Sequence, residues 1–449
     1  MKSILSGWGR QSVCLVDEEI PKDAGTFSSF LAKPYLPRGQ GRSYGDAALP
    51  AQGHCSVNTS GIDRLLSFNP ATGVLDAEAG ATLTALLAVS IPRGYFLPVT
   101  PGTMCVSLGG ALASNVHGKN HHRVGSIEKF VLEMEVNTPI GTFVCTPEKH
   151  RDLFVATLGG YGLTGCITRV KLQMIPIITS DVHVLRVKAP DLDGLFRLFA
   201  EHDGNYEYSV AWLDTLAKGK SLGRGVLMLG NHARVKFDDA DSGPVQSPLA
   251  YPQKRKLRVP FAMPAVILNR PLLGAFNQLF YAVAPNHGLE TRENFEGFFY
   301  PLDRIRDWNL LYGKSGFFQY QCVIPDPRGE EGIAACLRFL SDNGLGAFLS
   351  VLKRCGNDEV MIPFCKHGYT LALDIPFRGP VTLKLLDKLD ELVIGFQGRV
   401  YLSKDARLSP ESFRAMYPEF GAWMDVVRRY NPNAKSDSRL AERLGLWKG

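Results

Sequence analysis

The 449-residue sequence predicts an α+β fold of two or three domains, and three observations carry that prediction. Glycine is dense from Arg38 to Gly165, where short β-rich runs and a helical run are separated by glycine turns. After about residue 180 glycine thins and aromatic residues cluster, which marks a second domain. From residue 399 a strand-loop-helix pattern returns. The expected organisation is a first domain over 1–180, a second over 181–398, and a C-terminal segment over 399–449 that goes back to the first.

In the first part "VLDAEAG" and "FVLEMEVNT" read as strands and Leu83 to Val89 as a helix, while "TRVKLQMIPI" alternates as a strand does. In the second, "FFQYQCVIP" and "TLALDIPF" read as strands and Leu383 to Val393 as an amphipathic helix. In the third, Ser409-Pro410-Glu411-Ser412 has the serine cap and early proline of a helix start. The run "LAKPYLP" carries Pro34 and Pro37, and proline is a poor resident of a central strand.

An apolar fraction of 45% with 21% charged residues is that of a soluble globular protein. The net charge of +6 is mild and dispersed, and no nucleic-acid-binding motif is present, so no nucleic-acid partner is expected. Nine scattered cysteines without a C-x-x-C fit thiols in a reducing compartment, and the N-terminus lacks a signal-peptide core. The expected location is cytoplasmic. The basic run 253–258 precedes an apolar run, to residue 284, that Pro264, Asn269, Arg270 and Pro271 interrupt. It reads either as a peripheral contact at the inner membrane face or as a loop leading into a core helix.

Three glycine loops lie near residues 38–46, 100–118 and 158–165. Backbone N–H groups in such turns bind anions, and absent side chains let a flat ligand approach. A single loop would read as a tight turn; three in one domain fit a ligand with a pyrophosphate and a planar ring. Ser43, Tyr44, Asp46, Ser107, Asn115 and Thr164 are the polar contacts on offer. The first loop, "RGQGRSYGD", lacks the G-x-G-x-x-G spacing of a dinucleotide fold.

"RGQGRSYGD", "PVTPGTMCVSLGGALASNVHGKNHH", "TLGGYGLTG", "FFQYQCVIP" and "GRVYLSKDAR" resemble the vanillyl-alcohol-oxidase type of FAD enzyme. Within it they are most similar to the decaprenylphosphoryl-β-D-ribose oxidases, the flavoprotein halves of an epimerase that makes an arabinose donor. "SGWGR" and "KSDSRLAERLGL" extend the resemblance over nearly the whole chain. It implies a two-part, non-Rossmann FAD-binding domain and a cap domain over the substrate. It implies FAD contacts at Arg38, Gly39, Gln40, Gly41, Arg42, Ser43, Tyr44, Gly45 and Asp46. Further contacts are implied at Pro101, Gly102, Thr103, Ser107, Gly109, Gly110, Ser114, Asn115, His117 and Gly118, and at Gly162, Thr164, Gly165 and Ile167. Many relatives link the flavin covalently to a histidine in the first loop; Arg42 stands there, so FAD is expected to be non-covalent. A lipid-linked pentose substrate and a short-chain NAD(P)H reductase partner are implied as well. Two rival readings are a soluble sugar or polyol oxidase and a flavin-free binding protein.

Flavin oxidation of an alcohol needs a hydride acceptor and a destination for the hydroxyl proton. By resemblance Lys404, His117 and Tyr401 are the catalytic candidates, Lys404 as the cation at flavin and substrate and His117 beside the flavin as a proton relay, and Lys353 lines the pocket with Tyr401. Gln319 and Gln321 alternate on one strand and would present two amides to a sugar. Trp212 and Ala372 complete the expected substrate contacts, and Ala372 stands where mycobacterial relatives carry a cysteine that nitroaromatic inhibitors capture. A continuous strand would put Cys365 roughly 20 Å from that position. No metal is expected: His117 and His121 are four apart, but Gly118 and Asn120 argue against a helix, and the sequence shows no cysteine partner.

Overall fold

The strand expected at "FFQYQCVIP" forms as Phe317–Pro325 and pairs antiparallel along its whole length with Gly368–Pro376. Alternation gives the two faces different work. Phe318, Tyr320, Cys322 and Ile324, with Leu371, Leu373 and Ile375, enter the main core. There they meet apolar residues of helices Leu192–His202, Gly329–Asp342 and Pro380–Gly395. The opposite face presents Gln319, Gln321, Ala372 and Asp374 in facing register, Gln319 to Asp374 and Gln321 to Ala372.

In this computed structural model residues 1–23, 25–27, 33–233, 248–251, 256–264, 270–285, 288–347 and 349–448 are described. The two paired strands are part of an eight-stranded antiparallel sheet. Its order is Leu289–Asn294, Asp181–Ala189, Gly225–His232, Tyr208–Leu213, Ser350–Cys355, Gly368–Pro376, Phe317–Pro325 and Arg399–Val400. The first part of the chain builds a four-stranded and a five-stranded sheet, the latter in the order Leu65–Asn69, Val74–Glu78, Cys166–Gln173, Val131–Thr138, Gly141–Cys145. Mixed helices and largely antiparallel sheets make the protein α+β.

Pro37 does sit in a strand, Tyr35–Arg38, at the edge of the four-stranded sheet and parallel to Cys55–Asn58. The edge tolerates the missing N–H. The expected helices form as Leu83–Ser90, Pro380–Gly395 and Pro410–Met416, the last capped by the Ser409 hydroxyl accepting from the Ser412 N–H.

Arg399–Val400 is the last strand of the large sheet; beyond it the chain crosses back to the first unit. Trp423 Nε1 donates to the Ala156 carbonyl at 3.0 Å, Asn431 to that of Leu163 at 2.7 Å, and Arg443 pairs with Asp46 at 2.7 Å. Among the described residues no helix is long and apolar enough to cross a membrane. The first three residues of the basic run, 253–255, and residues 265–269 of the apolar run lie outside the described residues.

Candidate active site

A cavity of about 780 Å³ lies between the glycine loops and the polar face of the large sheet. Arg38, Gly39, Gln40, Gly41, Arg42, Ser43 and Tyr44 form one wall. Pro101, Gly102, Thr103, Ser107, Gly109, Gly110, Ser114 and His117 form a second, and Gly162, Gly165 and Ile167 a third. The sheet contributes Gln319, Gln321, Lys353 and Ala372, and the C-terminal segment Tyr401 and Lys404. Residues far apart in sequence therefore converge on one space.

Six expected contacts do not line it, and each has a local reason. A Cβ on Gly45 would lie 1.7 Å from the Asp405 carbonyl oxygen, so this glycine makes room for backbone rather than for ligand. The Asp46 carboxylate turns to Arg443, which also holds Asp405 at 2.8 Å, tying the first loop to the last helix. Thr164 hydrogen-bonds Thr157 in the core at 2.9 Å. Asn115, at φ 40°, is buried with both side-chain amide atoms left without a protein partner, and the Gly118 carbonyl accepts from Lys353 Nζ at 3.4 Å. Trp212 pairs with Val351, a cavity residue, so it shares the cavity's sheet face one strand further out. There its ring packs on Phe280, with centroids 4.6 Å apart.

Burial sets the electrostatics. Lys404 stands over the Tyr44 ring, 3.8 Å from its centroid, and burial with the Lys353 charge lowers its pKa to about 7 against the pull of Asp374. Asp374 was not singled out as a site residue, although its parity with Ala372 in "TLALDIPF" places it on the same face. Burial raises its pKa to about 7 despite hydrogen bonds from Gln319 Nε2 at 2.5 Å and the Tyr312 hydroxyl at 3.4 Å. Other lining residues that sequence reasoning did not assign to the site are Trp308, the basic trio Lys256, Arg258 and Arg306, and also Trp8 and Tyr161, though these two lie in stretches that carry the resemblance.

Burial and neighbouring lysines hold His117 well below its usual pKa, so its ring is neutral. Gln321 Nε2 lies 2.9 Å from His117 Nε2 and 3.2 Å from Thr370 Oγ1, donating to both. The ring proton is therefore on Nδ1, which is buried without a partner. The Tyr401 hydroxyl donates to the Ser114 carbonyl at 2.6 Å, and burial pushes its pKa far up. The hydrogen bond fixes the ring, and the raised pKa keeps the phenol protonated at neutral pH.

His121 does have cysteine neighbours in space: its ring and the Cys355 and Cys365 thiols bring ligand atoms within 4.8 Å of one another. Both ring nitrogens are already engaged, Nε2 with Asp358 at 2.9 Å and Nδ1 accepting from the Gly356 N–H at 3.0 Å. The strand carrying Ala372 starts only at Gly368, so Cys365 is not on it. Cys365 donates its N–H to Asp358 at 2.7 Å and packs with Cys355, Phe364 and Tyr401, outside the cavity lining.

The site fits FAD on this chain's own terms. The cavity lies within the roughly 300–1,000 Å³ of small-molecule and cofactor pockets. A Cβ on Gly102, in the second wall, would meet nothing within 4 Å. Arg42 Nε and His117 Nδ1 are buried polar atoms that protein leaves unpartnered.

Known proteins agree. A profile described as an FAD binding domain matches residues 26–146. The decaprenylphosphoryl-β-D-ribose oxidase of Mycolicibacterium smegmatis is 32% identical over 453 aligned residues, covering 98% of this chain and 97% of its own. The chain belongs to this oxidase family. It is an FAD-dependent oxidoreductase. An uncharacterised Streptomyces coelicolor protein is 33% identical over 81% of the chain and all of its own length. The mitochondrial D-2-hydroxyglutarate dehydrogenase of Bos taurus is 28% identical over 36% of this chain and 31% of its own.

Proposed function

We propose that the enzyme oxidises the 2′-hydroxyl of a polyprenylphosphoryl pentose of the ribose type to the 2-keto sugar. The carrying observation is the sheet face of the cavity, where Gln319, Gln321, Asp374 and Lys404 meet opposite the glycine loops. FAD, held by the three loop walls, supplies the two-electron acceptor when bound. Arg42 takes the position of a flavin-linking histidine, so FAD is held without a covalent bond. The Gln319 and Gln321 amides orient sugar hydroxyls. The hydroxyl proton passes to the Asp374–Lys404 pair, both held near pKa 7 and so able to exchange protons at neutral pH. The ammonium form of Lys404 stabilises negative charge developing in the transition state. Lys256 and Arg306, also in the lining beside the Arg258–Asp307 ion pair, offer cations to the substrate phosphate. This reaction is the first half of an epimerisation towards an arabinose donor, and a separate short-chain NAD(P)H reductase supplies the second.

Anaerobic flavin bleaching tests the reading with polyprenylphosphoryl ribose, free ribose and a polyol panel. Bleaching by the lipid-linked sugar alone is expected. Equal or faster bleaching by free polyols would assign the enzyme to the soluble-oxidase reading.

A further inference from the structure

Helix Arg270–Val283 has its apolar side facing outward. Leu273 and Asn277, one turn apart, are buried, and the Asn277 amide donates to Asp214 at 2.8 Å. Leu272, Phe276, Leu279 and Val283 follow at helical spacing on the other side, with Leu279 64% and Val283 73% exposed. No charged residue occurs from Pro271 to Val283. A helix at a protein–water boundary normally turns charged and polar residues outward. Phe261 and Leu257, 62% and 74% exposed, extend the apolar surface on the preceding stretch. An exposed apolar area of this kind marks a surface that something covers.

The charge of the segment that carries it says what covers it. From Ser242 to Leu289 the sequence has five Lys or Arg and no Asp or Glu, against a net charge of +6 for all 449 residues. Nearly the whole charge excess of the protein thus falls in the segment that carries the apolar face. A second copy would bring like charges together, whereas an anionic bilayer attracts them while taking up the apolar side chains. The face also adjoins the cavity. Phe280 packs on Trp212, which pairs with the cavity residue Val351. Strand Leu257–Arg258 pairs with Ile305–Arg306, and Arg258, Ile305 and Arg306 line the cavity.

We propose that the outward face of helix Arg270–Val283, with Leu257 and Phe261, docks on the surface of an anionic lipid bilayer and holds the cavity mouth against it. The docking rests on the exposed face and on the charge of the surrounding sequence segment, not on which sugar is oxidised. Flavin bleaching and vesicle binding can therefore fail separately.

Flotation of the flavin-loaded enzyme with vesicles tests it, using phosphatidylglycerol–phosphatidylcholine mixtures and pure phosphatidylcholine. Wild type should partition to the anionic vesicles and leave them at high salt. Leu279→Glu/Val283→Glu should lower that partition ~10-fold or more, since burying two charges in place of two apolar side chains reverses the sign of the contribution. Its flavin spectrum and melting temperature should stay at wild-type values, because both positions face outward. Val381→Glu is the control, an apolar residue 65% exposed on helix Pro380–Gly395, on the other side of the large sheet, and should bind as wild type does. Three results would overturn the proposal: no binding of wild type to anionic vesicles, equal loss with Val381→Glu, or a wild-type dimer that the double variant dissolves.

Discussion

Lys404 and Asp374 are groups of opposite charge type that burial brings to the same pKa, about 7 each. Each makes a prediction. Lys404→Ala should lose most turnover, because a buried cation facing developing negative charge contributes several kcal/mol. Turnover within a factor of about three of wild type equals only ~0.7 kcal/mol and would remove Lys404 from the chemistry. For Asp374 the sign follows from proton linkage. Its folded pKa is raised above the unfolded value, so between pH ~4 and 7 the native state binds more protons than the unfolded one. The stability it contributes is present at low pH and is lost as pH rises through about 7. Asp374→Asn keeps the shape without the charge, so its melting temperature relative to wild type should climb from pH 5 to pH 8. The loss it removes is on the order of a few kcal/mol at most, since each pH unit is worth ~1.4 kcal/mol and the Lys404 charge offsets part. A constant difference across that range would show that Asp374 is ionised in the folded state throughout.

At the scale of elements, strand Gly368–Pro376 carries both what the sequence revealed and what it hid. Its β character, and the shared face of Gln319 and Gln321 on the strand beside it, were readable from alternation, because period two fixes which residues share a face. Asp374 shares the parity of Ala372 and was equally readable, but an acid in an apolar strand draws notice only once a partner strand supplies Gln319. Gly45 misled for the opposite reason: a glycine in a loop looks like ligand space, and here its missing Cβ admits the Asp405 backbone. Nothing local signals a contact between residues 45 and 405. The same strand makes a chemical prediction. Ala372 lines the cavity and has no thiol, so a reduced nitroaromatic should form no adduct at that position, while Ala372→Cys should gain one and keep its activity. Cys105 and Cys166 also line the cavity, and burial raises both thiol pKa values, which disfavours the reactive thiolate. Peptide mass after turnover separates the cases. A stoichiometric adduct on the wild-type chain at Cys105 or Cys166 would show that cavity thiols react despite burial.

In the whole molecule, the change of composition near residue 180 coincides with the start of the large sheet at Asp181, since a glycine-loop unit and an aromatic-lined sheet need different residues. The way the chain returns was less legible, because Arg443 gives no hint in sequence that it joins Asp46 and Asp405 across the fold. That closure matters to the cofactor. The cavity takes its walls from the glycine loops, from the large sheet and from the segment carrying Tyr401 and Lys404, so a cofactor that filled it would touch all three parts at once. A ligand that binds only the assembled form stabilises it by RT ln(1 + [L]/Kd), about 2.7 kcal/mol at a hundredfold excess over Kd. Adding FAD to flavin-depleted enzyme should therefore raise the melting temperature, with an increment that grows with FAD concentration. Nothing should tie the flavin to the chain once it unfolds. Arg42, in the lining with its guanidinium 4.1 Å from the Trp8 ring centroid, has no imidazole to form such a bond. Acid or heat denaturation should leave the yellow colour in the supernatant and a protein mass equal to that of the bare chain. Flavin retained in the pellet, with the mass raised by one FAD, would show a covalent link through another residue.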